Sequence, residues 1–179
     1  MKIALDVLGG DSTPDVNIQG AIDYLNLYEN KAANLILVGN KEEINSSLKS
    51  YNYNKSKIEI LHSTEVITMN EKPSRIFRIK PDSSMVKAIE LVKNQDADAI
   101  ISAGNTGALL TSSLFLIGKI SGVRRPAFAP FIPTRNGGFI LCDAGANAES
   151  KPNHLIQFSL MASAYIEHLN NINKPKVGL

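Results

Sequence analysis

The sequence predicts an α/β fold on a largely parallel sheet, with helices on both faces and one antiparallel hairpin. Two observations predict it. Apolar runs of strand length alternate with segments of helical periodicity, and Asn136-Gly137-Gly138 lies between two apolar runs as a hairpin turn. The 179 residues, 44% apolar and 20% charged, fit one globular domain and exclude a disordered chain. A net charge of only +2, spread along the chain, argues against a nucleic-acid partner held by phosphate contacts. A single Cys excludes an intrachain disulfide framework and a multi-Cys zinc site, and fits a reducing cytoplasm. The longest apolar stretch, Ala108 to Ile117, is interrupted by Thr111-Ser112-Ser113 and is too short to span a membrane. Asp6 follows the N-terminus too soon for a signal-peptide core.

Ile3–Val7 reads as the first strand, ended by Gly9-Gly10. Thr13 as N-cap, Pro14 in the first turn and Asp15 beside the positive dipole end start a helix whose apolar face is Ile18, Ala21, Ile22, Leu25 and Tyr28. Leu35–Val38 is a second strand, followed by a short helix over Glu42–Ser50, a polar loop over Tyr51–Lys57 and a third strand over Ile58–Leu61. Pro73–Lys80 is open between loop and short helix. Asp82-Ser83-Ser84 caps a helix with Met85, Ala88, Ile89 and Val92 on one face. Ala97–Ser102 reads as a buried strand leading into a helix over Thr106–Ile117. Ala127–Ile132 and Phe139–Asp143 flank the hairpin turn. Pro152 opens a long helix with Leu155, Phe158, Ala162, Tyr165, Ile166 and Leu169 on its face, and Lys176–Leu179 begins like another strand.

Ligands in open α/β sheets bind at the carboxyl ends of strands. Three such corners combine glycine with small polar residues: Asp6–Asp11, Ser102–Gly107 and Asp143–Asn147. Glycine lets a backbone approach a ligand closely, and a helix starting there aims free N–H groups at an anion. Ser102, Asn105 and Thr106 add side-chain donors, so the corners suit a phosphate or an acyl-transfer oxyanion. Any one of them is equally a tight strand–helix turn. Neither the dinucleotide fingerprint nor the P-loop is present.

Ser83 and Ser84 offer one helix cap and one hydroxyl for a ligand. Arg125 is either a phosphate clamp or a surface charge. Lys72, Arg75, Arg78 and Lys80 form a basic run, either solvated or facing an acidic partner. Cys142 reads as a structural thiol. His154, close in sequence to Asp143–Asn147, is the histidine placed for acid/base work, against a structural or surface role. No nucleophile elbow or triad is present, so an enzyme built on these residues works by positioning and electrostatics.

DVLGGD at Asp6–Asp11, Leu37-Val38-Gly39, ISAGNTGALL at Ile101–Leu110, Arg125-Pro126-Ala127, DAGAN at Asp143–Asn147 and Lys151–Phe158 occur in this order. In these segments, and at Glu65–Met69 and Ser83–Met85, the chain resembles the phosphate acyltransferases of bacterial phospholipid synthesis (the PlsX type). The resemblance implies a fold similar to isopropylmalate dehydrogenase and phosphotransacetylase. It implies acyl phosphate made from fatty acyl-acyl-carrier protein and inorganic phosphate, with no metal or organic cofactor. It also implies a cytoplasmic homodimer, with peripheral contact at the inner face of the membrane as a further expectation.

On this reading Asn105, Asp143 and His154 are the catalytic candidates. Asp6, Gly9, Gly10, Asp11, Ser83, Ser84, Ser102, Gly104, Thr106, Gly107, Arg125, Gly145 and Asn147 are the substrate-binding candidates. Alanine at Asn105 is expected to abolish the reaction and leave the fold intact. The basic run from Lys72 to Lys80 is a candidate contact for the acidic carrier protein. Leu8 stands where the family carries Met. Family members continue beyond the position of residue 179, so residues 1–179 are expected to be the N-terminal part of one acyltransferase domain, truncated before its C-terminal part. A non-catalytic remnant or interaction module that keeps the loops is the competing expectation. A generic nucleotide-binding domain is a third.

Overall fold

A computed structural model describes residues 1–12, 14–135, 137–147, 149–170 and 172–179. They form two compact units, Met1–Gly118 and Lys119–Leu179.

The first unit carries a parallel sheet of β1 (Lys2–Asp6), β2 (Asn34–Gly39), β3 (Ile58–His62) and β4 (Ala99–Ser102), in the order β3-β2-β1-β4. Strand periodicity sorts its two faces. Ile3, Leu5, Val7, Leu35, Leu37, Ile58 and Ile60 pack with α1 (Asp15–Tyr28) and α2 (Lys41–Leu48). Ala4, Ile36, Val38 and Ile100 pack on the other side, with Ala88 and Val92 of α4 (Ser84–Lys93). Helices therefore cover both faces. Ile18, Ala21, Ile22 and Leu25 of α1 are buried as the spacing predicts, each large side chain contributing roughly 1.5–3 kcal/mol of burial. Tyr28 instead lies half-exposed, its ring against Tyr24. The Thr13 cap lies outside the described residues.

Two short elements complete this unit. The ambiguous segment after Pro73 becomes α3 (Ile76–Ile79), entered through Arg75 in the left-handed region at φ 62°. α5 (Thr106–Leu116) follows β4. Ile67, Ile76, Met85, Val86, Ile89 and Ala108 join α3, α4 and α5 in one apolar cluster. The strand ending at Ser102 is not buried throughout: Ile101 is 53% exposed. β4 is the edge of the sheet, and Ile101, opposite Leu5, lines a groove of about 310 Å³ with Val16, Gly20 and Tyr24 of α1.

In the second unit, β5 (Phe131–Thr134) and β6 (Gly137–Ile140) form the expected antiparallel hairpin, in the register Phe131 to Ile140 and Thr134 to Gly137. Asn136 of its turn is outside the described residues, and Gly137-Gly138 belong to the strand. α6 (Pro152–Asn170) buries His154, Phe158 and Ile166. Leu155, Tyr165 and Leu169, expected on its apolar face, are partly exposed. Lys176–Leu179 forms no strand.

Candidate functional site

From β1 the sheet runs to β2 and β3 on one side and to β4 on the other. The loops leaving β1 and β4 therefore diverge from adjacent strand ends, which is the topological switch point of an open sheet. Register puts Asp6 directly beside Ser102, and strand alternation turns Asp6 to the side of α4. There its carboxylate, 1% exposed, accepts the Ser84 hydroxyl at 2.5 Å and the Ser102 hydroxyl at 2.7 Å. The Leu8 N–H adds a third bond at 3.2 Å. Ser102 Oγ in turn accepts the Gly104 N–H at 3.1 Å. A carboxylate only accepts, so both serine hydroxyl hydrogens are committed to Asp6 and only their lone pairs remain. Of the two serines left open by sequence, Ser83 is the helix cap, accepting the Val86 N–H, and Ser84 is buried against Asp6.

The glycines bring the two loops together. A Cβ on Gly9 would lie 2.6 Å from Asp6 Oδ2 and 2.8 Å from both the Gly104 nitrogen and Ser102 Oγ. Gly10 takes φ 112°, where other residues are strained. Asn17 of α1, which carries no motif in the sequence, donates to the Val7 and Gly9 carbonyls and holds this loop against its helix. Asp11 is exposed.

Asn105 caps α5, its Oδ1 accepting the Ala108 N–H at 3.0 Å. Its Nδ2 donates to the carbonyls of Thr68, Met69 and Glu71 at 3.4, 3.1 and 3.0 Å. The amide is thus a staple between α5 and the loop after β3, and alanine there removes structural bonds. Pro73 of that loop fills the space a Gly107 Cβ would take, 2.6 Å from its Cγ. Glu71, unmarked by sequence, stiffens the loop through Lys80 and Thr68. The Lys80 ammonium, then the Thr68 N–H, hold its carboxyl below the usual range. Among the described residues the N–H groups of Thr106 and Gly107 have no acceptor. They lie in the first turn of an 11-residue helix, where the dipole favours an anion.

The second unit holds its own constellation. Asp143 Oδ1 accepts the Phe128 N–H at 2.8 Å and the Ala146 N–H at 3.3 Å. Oδ2 accepts the Asn147 N–H at 2.7 Å and its Nδ2 at 3.1 Å. Burial pushes the Asp143 carboxyl up, but these donors outweigh it and hold the group below its ordinary value. Asn147 also donates to the Pro126 carbonyl, and Gly145 makes the turn at φ 93°. His154 is buried and its Nδ1 accepts the Lys151 N–H at 3.3 Å. In the neutral ring the hydrogen is therefore on Nε2, which acts as a donor. Burial, then the cations Arg125, Lys151 and Arg124, push its pKa down and favour that neutral form. Cys142 is half-buried, and burial with the Asp143 charge pushes its thiol up, against a nucleophilic thiolate. No helix among the described residues is long and apolar enough to cross a membrane.

The family model described as fatty acid synthesis protein matches residues 1–179. A phosphate acyltransferase of Clostridium novyi (strain NT) is 45% identical over 179 residues, all of this chain and 53% of its own length. One of Alkaliphilus oremlandii (strain OhILAs) is 48% identical over 177 residues, 99% of this chain and 52% of its own length. One of Dictyoglomus turgidum is 44% identical over 180 residues. The chain spans about half the length of these curated relatives. A match along the whole chain, on the segments that build the Asp6, Asn105 and Asp143 networks, shows that this protein belongs to the fatty acid synthesis protein family.

Proposed function

We propose that the chain serves phosphate acyl transfer: inorganic phosphate attacks the thioester of a fatty acyl-acyl-carrier protein and yields acyl phosphate for phospholipid synthesis. The carrying observation is the pair of N–H groups, Thr106 and Gly107, at the switch-point end of α5 that have no acceptor among the described residues. They suit the phosphate dianion or the oxyanion that develops on the thioester carbonyl. In the step, a phosphate oxygen bonds to the acyl carbon and the C–S bond breaks. The hydrogen of HPO₄²⁻ ends on the carrier thiol, so the balance needs no further reactant. On this reading Asp6 orients the Gly9–Gly104 corner through Ser84 and Ser102, and Asn105 positions α5 by stapling it to residues 68–71. The reading calls for no metal or organic cofactor, and it includes a cytoplasmic homodimer with peripheral contact at the inner membrane face.

A second reading is an interaction module that keeps these anion-binding loops without turnover. The purified chain, incubated with acyl-carrier-protein thioester and phosphate, decides between them. Acyl phosphate trapped by hydroxylamine supports transfer. A folded chain that binds carrier protein without forming acyl phosphate supports the module.

A further inference from the structure

We propose that the face formed by α3 and the C-terminal turn of α5 is a docking surface for an acidic amphipathic helix of a partner protein. Phe77 of α3 stacks on Phe115 of α5 with ring centroids 5.1 Å apart. Phe115 remains 61% exposed and Ile79 66%. The Arg78 guanidinium lies 5.4 Å from the Phe77 centroid. An aromatic centre carrying a cation and left in water is the composition of an interface centre, where aromatic residues and Arg are enriched.

The basic run is not uniform. Lys80 is spent inside the fold, on Glu71 at 2.7 Å and on the Val66 carbonyl at 2.6 Å. Lys72, Arg75 and Arg78 are exposed and have no carboxylate partner among the described residues. Two of these three are Arg, whose planar fork pairs with carboxylates in two bonds at once. The charge selects the occupant. A second copy would set the same cations against each other in a two-fold contact. An anionic membrane surface is held by clusters of about four to eight basic residues, more than this patch offers. Carboxylates flanking an apolar stripe on a helix complement it in both sign and shape.

Position gives the surface its use. The loop bearing Lys72 and Arg75 is the one pinned to Asn105 through the Glu71 carbonyl and packed on Gly107 through Pro73. A helix docked there sits beside the first turn of α5. The inference deepens the reading above, because the carrier of the thioester would then be held next to the anion site.

The test is binding, measured without turnover. Unacylated acyl-carrier protein, carrying a fluorophore, is titrated with the full chain. Binding should weaken about tenfold or more on going from about 50 mM to about 500 mM salt. Arg75→Glu with Arg78→Glu should weaken it about tenfold, Phe115→Ala about fivefold, and Lys49→Glu, on the α2 side of the sheet, not at all. Circular dichroism of each variant checks the fold, and Arg78→Ala gives a milder change should the double reversal unfold. Absence of binding, binding indifferent to these residues, or binding only to phosphatidylglycerol vesicles overturns the proposal. Turnover with an unchanged KM in the double reversal overturns the surface and leaves acyl transfer standing. Sensitive binding without turnover does the reverse.

Discussion

Gly9 and Gly104 meet backbone to backbone: a Cβ on Gly104 would lie 3.2 Å from Gly9 Cα, and one on Gly9 would lie 2.8 Å from the Gly104 nitrogen. Two loops that leave neighbouring strands are thereby closed to side chains at their contact. Gly9→Ala is expected to cost roughly 1–3 kcal/mol by overpacking. Gly20→Ala, in mid-α1 with open space around its Cβ, should gain up to about 1 kcal/mol. Urea melts of the two variants should move in opposite directions, and equal shifts would show that the loop contact yields freely.

Asp6 is the shared acceptor of Ser84 and Ser102. Asp6→Ala leaves the buried Ser84 hydroxyl and the half-buried Ser102 hydroxyl without their acceptor, at about 1–3 kcal/mol for the buried one and less for the other. Restoring part of the network by Asp6→Asn should recover part of that loss. A midpoint for Asp6→Ala equal to wild type in denaturant would show that the serines find other acceptors.

Asn105 separates cap from staple. Asn105→Asp keeps an acceptor for Ala108 N–H but turns an acceptor toward three carbonyls. It should be at least as destabilising as Asn105→Ala, for which about 1–3 kcal/mol is expected. Both should speed proteolysis between residues 68 and 80. An aspartate variant as stable as wild type would mean that the cap alone matters.

Glu71, Asp82 and Asp143 all have carboxyls held below their ordinary values, Asp82 chiefly by Lys87 and Thr64. A lowered native pKa means that the unfolded chain binds more protons in acid. Their stabilisation is complete above the unfolded value of about 4 and is lost as pH falls below it. Glu71 and Asp82 are partly exposed, so each contributes modestly. Chemical denaturation at a series of pH values should show a decline below about pH 4, shallower in Asp82→Asn. An unchanged slope in that variant would assign the acid sensitivity to other carboxyls.

The His154 imidazole should titrate below its ordinary range, since burial and then Arg125 disfavour the cation. Its lowered value makes the neutral form stabilising above the unfolded pKa of about 6.5, with that gain lost in acid. Proton NMR of the ring should show the midpoint rising in Arg125→Ala. A midpoint that stays put would assign the shift to burial and the other cations.

How much of this was legible in the sequence depends on the range of each contact. The four strands of the parallel sheet, the N-cap at Ser83 and the glycine corners are local patterns, and they appear where the spacing puts them, whereas the hairpin strands are shifted and Lys176–Leu179 forms none. Asp6 was visible as a loop acid, but its partner Ser84 is 78 residues away, and nothing local pairs them. Asn105 stood out because it lies among glycines before a helix. Its use as a staple depended on residues 34 to 37 positions earlier folding back onto it. Asn17 and Glu71 passed unnoticed because single polar residues in a helix or a charged loop carry no pattern. Ile101 misled for the opposite reason: an apolar run is the same text at the edge of a sheet as in its middle.

From Pro152 to Ile166, α6 carries no Asp, Glu, Lys or Arg, yet Ile156 and Leu160 are 58% and 65% exposed. One helical turn apart, they form an oily step in water with no like-charge repulsion to keep other molecules away. This step should therefore add to the tendency of the protein to self-associate. Placing Glu at positions 156 and 160 should improve yield and filterability, and should spare the protein from chaperones that grip bare aliphatic surface.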